Sequence, residues 1–171
     1  GMSVDAATAE NLPERFTEAF TQIWRRNAEV DAYNELIMRC GLTWRSAAML
    51  RAYGRYLRQC GFAYSTTHVA ATLGRYRDVT RGLVDLFEVS FDPAVSDSSR
   101  RETVLAALHD AVGEILSLDA DRIVSAFTSV VTATDRTNFY VTGGPQVETG
   151  SATSDGHRPV MSFKLRPRDI P

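Results

Sequence analysis

Apolar residues recur every three or four positions through most of this chain, a spacing that predicts helices. Phe16, Phe20, Ile23 and Trp24 mark the first, which opens at N-L-P-E (Asn11 to Glu14) and runs to about Arg26. Asp31 caps a short second helix carrying Tyr33, Leu36 and Ile37. It stops at Cys40-Gly41, where glycine can take the left-handed conformation that closes a helix. Thr43 caps a third helix with Ala47, Ala48, Leu50, Tyr53 and Leu57 on its apolar face, and this one also ends in Cys-Gly, at Cys60-Gly61. The two junctions, R-C-G-L-T-W and Q-C-G-F-A-Y, read as similar helix corners and are too short to establish a repeat. Ser65 opens a fourth helix through Val69, Ala70 and Leu73 to near Gly74. A fifth runs from about Arg77 to Val89 with Val79, Leu83, Leu86 and Phe87 facing one way, until Phe91-Asp92-Pro93 stops it. Ser96 to Ser99 reads as a loop. From Arg101 a further helix presents Val104, Leu105, Leu108, Val112 and Ile115. The last begins at Ser117, Asp119 and Asp121 and buries Ile123, Phe127, Val130 and Val131.

After Thr137 the period changes. Asn138 to Thr142 is short, aromatic and β-branched and predicts a strand, with Val160 to Leu165 as the returning one. Glycines, serines and threonines fill the tip between them. The expected fold is therefore mainly α: a helical bundle-like domain of about six or seven helices over residues 11–137, then a C-terminal two-stranded antiparallel β-ribbon over 138–171, flexible at 143–158. Residues 1–10 read as a disordered tail, and Gly1 before Met2 as a tag remnant. A lone ribbon is marginal in water and wants a further strand or helix against it. Phe139, Tyr140, Met161 and Phe163 are expected to leave an apolar face uncovered, which invites self-association. The closing stretch V-M-S-F-K-L-R-P-R-D-I-P reads as a strand and a Pro-bounded exit, so the chain is expected to be a piece of something longer.

Composition narrows the function classes. The 171 residues are 44% hydrophobic and 23% charged, ordinary for a globular domain, and the net charge of −2 exerts no general pull on nucleic acid or anionic membrane. No apolar run approaches the roughly 20 residues of a bilayer span, and no signal peptide is visible. Cys40 and Cys60 fit a reducing cytoplasm better than a disulfide framework, a bridge between them being the less favoured alternative. His68, His109 and His157 show no metal-binding spacing. Gly143-Gly144-Pro145 lacks the Lys-Ser or Lys-Thr of a phosphate loop, and no G-x-G-x-x-G follows a strand. Asp119 and Asp121 are read as helix-start carboxylates rather than a catalytic pair. No catalytic, cofactor-binding or metal residue is therefore assigned. One basic feature stands out: Arg51, Arg55 and Arg58 lie at i, i+4 and i+7 on the third helix. A solvated face is the favoured reading, and a contact with a partner the other.

Five stretches, in order, resemble the large bacterial NAD-dependent glutamate dehydrogenases: N-E-L-I-M-R-C-G-L-T-W-R-S-A-A-M-L-R-A-Y-G-R-Y-L-R-Q-C-G-F-A-Y-S (Asn34 to Ser65), L-V-D-L-F-E-V-S-F-D-P (Leu83 to Pro93), L-D-A-D-R-I (Leu118 to Ile123), D-R-T-N-F-Y (Asp135 to Tyr140) and M-S-F-K-L (Met161 to Leu165). The resemblance implies a cytoplasmic, homo-oligomeric parent enzyme that oxidises L-glutamate to 2-oxoglutarate and ammonia using NAD. Its substrate strand, catalytic lysine and nucleotide fold lie downstream of these residues. By that resemblance the chain is a non-catalytic helical segment just upstream of the catalytic domain, inactive alone and binding no cofactor. Its partners are then the remaining domains of the same polypeptide, and its task interdomain packing, assembly or regulation. Two other readings stand beside it: a free-standing binding module using Arg51, Arg55 and Arg58 for an acidic partner or nucleic acid, and an enzyme using Asp155 and His157 of the tip.

Overall fold

The structure, a computed structural model, describes residues 12–24, 31–95, 97–141 and 160–170. Among them are seven α-helices, two 3-10 turns and one antiparallel strand pair. The helices are α1 (Leu12–Trp24), α2 (Glu35–Cys40), α3 (Trp44–Gln59), α4 (Thr66–Arg75), α5 (Arg77–Phe91), α6 (Ser98–Gly113) and α7 (Leu118–Thr132). The strands are β1 (Thr134–Thr137) and β2 (Phe163–Leu165), and Pro167–Asp169 closes the chain as a 3-10 turn.

Local chemistry sets most of these limits. Asp31 accepts the Tyr33 amide at 3.0 Å and starts the 3-10 turn Ala32–Asn34 that feeds α2. Gly41, at φ 66°, then closes α2 in the left-handed region. The Thr43, Ser65 and Ser117 hydroxyls each accept an amide at the head of α3, α4 and α7. Gly61, at φ 93°, makes the second corner. After the two corners, Leu42 is buried and Phe62 packs edge-on against Tyr64 at 5.0 Å.

Once formed, the helices share one apolar core. Leu36, Leu50, Tyr53, Leu57, Leu73, Leu83, Leu86, Phe87, Ile123 and Phe127 are essentially sealed from water. Each such side chain contributes on the order of 1.5–3 kcal/mol through its removal from solvent. Gly54 lets two helical layers approach: a Cβ there would lie 2.0 Å from the Tyr33 hydroxyl. On the rim, α1 is tied by the Trp44 indole N–H, which donates to Glu18 at 3.1 Å, while Phe16 and Phe20 stack on each other with about half their surface in solvent.

Four expectations are corrected. Serines 98 and 99 are not loop: Asp97 accepts the Ser99 amide at 2.8 Å and α6 starts at Ser98. The first strand is not Asn138 to Thr142 but Thr134–Thr137, paired with Leu165, Lys164 and Phe163, with Asp135 bulged out of register. Phe139 and Tyr140 instead sit in a turn, where the Val141 amide donates to the Asn138 carbonyl at 3.1 Å. The second strand is shorter than Val160 to Leu165, since only Phe163–Leu165 pairs. Finally, the apolar face is not open. Phe139, Tyr140, Met161 and Phe163 are half-buried and packed against the helical core. The tip at 143–158 lies outside the described residues.

Candidate functional site

Where the strand pair meets the helices, side chains from distant parts of the chain converge. At its centre, the Tyr53 hydroxyl on α3 lies 2.9 Å from the Thr134 hydroxyl at the start of β1, both buried. Thr134 donates its only proton back to the Val130 carbonyl at 2.8 Å, so Tyr53 is the donor of the pair. Burial pushes the Tyr53 phenol well above its ordinary pKa, so it remains a neutral donor across physiological pH. Around it the rings close in: Tyr53 on Phe163 at 4.6 Å, and Phe87 on Phe139 at 5.1 Å and on Tyr140 at 6.0 Å. Arg45, on the first turn of α3, lies over the Phe139 ring at 4.7 Å and donates to the Phe139 carbonyl.

At the far end of the pair, Arg166 donates through Nε to Asp169 at 2.7 Å, through Nη2 to the Thr132 carbonyl at 3.0 Å, and through Nη1 to Asp135. Its hydrogen bonds to Asp169 first, and then to Asp135, hold the guanidinium still more firmly protonated than usual. Beside it is an open depression of about 210 Å³ reaching His109 and Thr128. The Thr128 and Thr132 hydroxyls on that wall donate to their own helix backbone, so each can face the depression only as an acceptor.

The three arginines singled out from spacing part company. Arg51 turns inward: its guanidinium is buried, donating to Asp31 at 2.7 and 2.8 Å and to Asn34 at 2.6 Å. Arg55 and Arg58 are exposed, and Arg58 donates to the Thr66 hydroxyl at 2.9 Å. Asp119 does more than favour a helix start, because it accepts the Tyr64 phenol at 2.7 Å and ties the α3–α4 corner to α7. His68 stacks on Tyr64 and His109 is exposed; Asp155 and His157 lie outside the described residues. Both cysteines are free thiols, Cys40 buried and Cys60 exposed, and burial pushes the Cys40 thiol up to about 11. On α5, desolvation raises Asp85 and Glu88 above the usual carboxylate range, Glu88 being raised further by Asp85 and Asp92.

Arg45, Tyr53, Thr134 and Arg166 were not visible as a set in the sequence. The one signal available was the Arg166–Asp169 spacing in R-P-R-D, which suits an ion pair across a tight turn. Among the described residues the strand, Gly-rich turn and helix start of a dinucleotide-binding fold do not occur together. The sheet is two short antiparallel strands, and both positive-φ glycines end helices instead of following a strand. Among the described residues no group of His, Cys, Asp and Glu is placed to hold a metal, and no helix is long and apolar enough to cross a membrane.

What these residues define is a helical segment that grips a strand pair. Residues 28–93 match the family described as glutamate dehydrogenase, helical motif 3, and residues 107–171 match that described as bacterial NAD-glutamate dehydrogenase, catalytic domain. The NAD-specific glutamate dehydrogenase of Mycobacterium tuberculosis is 44% identical over 163 residues, 94% of this chain and 9% of that protein. Those of Halomonas elongata (39% over 160 residues, 91% of this chain and 9% of that protein) and Pseudomonas aeruginosa (32% over 176, the whole chain and 10% of that protein) are also similar. The chain belongs to the large NAD-specific glutamate dehydrogenase family and spans about a tenth of the length of these relatives. The catalytic-domain match begins within α6, so the stretch is more than the helical motif alone.

Proposed function

We propose that these residues are the packing segment of a large NAD-specific glutamate dehydrogenase: the helices hold the first strands of the catalytic region in place and supply none of the reacting groups. The whole protein then oxidises L-glutamate to 2-oxoglutarate and ammonia while NAD is reduced, in the cytoplasm, and the partners of this segment are the other domains of its own polypeptide. One observation carries the reading. The stretch matching the helical motif and the stretch matching the catalytic domain are joined through the buried Tyr53–Thr134 bond and the rings around Phe87. A seam between independent domains would be wetter and more polar.

Two measurements test it. The 171-residue chain, supplied with L-glutamate and NAD, is expected to produce no NADH and to show no saturable NAD binding; turnover by this chain alone overturns the proposal. In the whole enzyme, Tyr53→Ala is expected to lower kcat and the folded fraction together while leaving KM for NAD unchanged.

A further inference from the structure

We infer that Arg166 is a positioning residue, a latch that fixes the course of the chain leaving β2 against the C-terminal end of α7. This rests on the packing role proposed above and names the group that performs it at the exit of the strand pair. Three acceptors from three different elements surround one guanidinium: the Thr132 carbonyl at the end of α7, the bulged Asp135 of β1, and Asp169 of the closing turn. The Arg166 backbone amide adds a fourth bond, to the Ala133 carbonyl at 2.9 Å.

The local sequence suits the device. The last carbonyls of a helix have no partner within it, and a cation there also complements the helix dipole. Asp135 sits at the bulge of β1, and its carboxylate pairs with Arg166. Pro167 restrains the backbone just after the latch, and the Asp169 amide returns to the Arg166 carbonyl at 3.1 Å, closing the turn. The chain is thereby folded back so that Ile170 lies against the common core. A planar fork with five N–H groups can serve all three acceptors at once, and an ammonium cannot match that spread.

Limited trypsin digestion of the 171-residue chain tests the latch. The Arg166–Pro167 bond resists trypsin, so Arg166→Ala and Arg166→Lys neither create nor remove a cutting site. Cleavage after Lys164 and Arg168 reports opening of the exit, and cleavage after Arg122, inside α7, reports opening of the core. Arg166→Ala is expected to raise the exit-to-core ratio about tenfold, with Arg166→Lys in between. Asp169→Asn and Asp135→Asn are expected to raise it by smaller factors, and they remain informative should Arg166→Ala fail to fold. An unchanged ratio in the variants that fold overturns the latch. That outcome is separate from the packing proposal, which fails instead on turnover by the chain alone.

Discussion

Removing the phenolic oxygen of Tyr53 while keeping its ring isolates the bond that joins the two matched stretches. In Tyr53→Phe the ring contacts with Phe163 at 4.6 Å and Phe87 at 6.2 Å survive, and only the 2.9 Å hydrogen bond is lost. Thr134 still donates to Val130, so one lone pair on a buried oxygen loses its donor, at a cost of about 1 kcal/mol. Thr134→Val is worse. It strands the Tyr53 hydroxyl where desolvation already weighs on it, and takes a donor from the Val130 carbonyl, for a loss of about 1–3 kcal/mol. The double variant has neither the stranded donor nor the unfilled acceptor, so its loss is expected to fall short of the summed singles by about 1 kcal/mol. Urea unfolding followed by helical circular dichroism measures all four proteins. A 1 kcal/mol change corresponds to about 2–4 °C in Tm for a chain of this size. Strict additivity, or singles as stable as the parent, would refute the claim that these hydroxyls couple helix to strand.

Other variants probe separate parts of the fold. Gly54→Ala is expected to destabilise by about 1–3 kcal/mol despite better helix propensity, because its Cβ would meet the sealed Tyr33 hydroxyl at 2.0 Å; Tyr33→Phe added to it should recover part of the loss in the same urea assay. Arg51→Ala, which leaves Asp31 without its guanidinium, should cost about 3 kcal/mol, whereas Arg58→Ala should change stability by less than about 0.5 kcal/mol. A thiol-reactive disulfide reagent near neutral pH should label Cys60 at once and Cys40 only on unfolding. The fold keeps the Cys40 proton up to about 11, while the unfolded chain loses it near 9. Stability from this group is therefore complete below pH 9 and declines as pH rises toward 11; replacing Cys40 by alanine should remove this part of the decline in a stability-versus-pH series and leave the part that the buried Tyr33 and Tyr53 phenols contribute at higher pH.

Helix stops and starts were legible because their chemistry lies within a few residues of itself. Thr43, Ser65 and Ser117 cap as their sequence neighbourhoods predict, and Gly41 and Gly61 take the left-handed conformation at the two Cys-Gly corners. The strands were less legible, because aromatic and β-branched character marks residues that suit burial as well as residues that pair. Phe139 and Tyr140 satisfied the strand signal yet serve as lids over Phe87, while polar Thr134 to Thr137 does the pairing. Spacing put Arg51 on one helical face with Arg55 and Arg58, but no local rule foretells that Asp31, twenty residues earlier, accepts it. Distance in sequence hid Tyr53–Thr134 and Arg45–Phe139 in the same way, and the junction emerged only with the fold.

Native-state hydrogen exchange across a denaturant series decides whether the helical-motif and catalytic-domain stretches are one packed unit. The slowest amides of α3 and α5, at Leu50 and Phe87, and those of α7, at Ile123 and Phe127, are expected to converge on a single global opening with the same free energy. If α7 opens with the strand pair at lower free energy while α3 to α5 stay closed, the two stretches are separate units and the helices do not hold the strands.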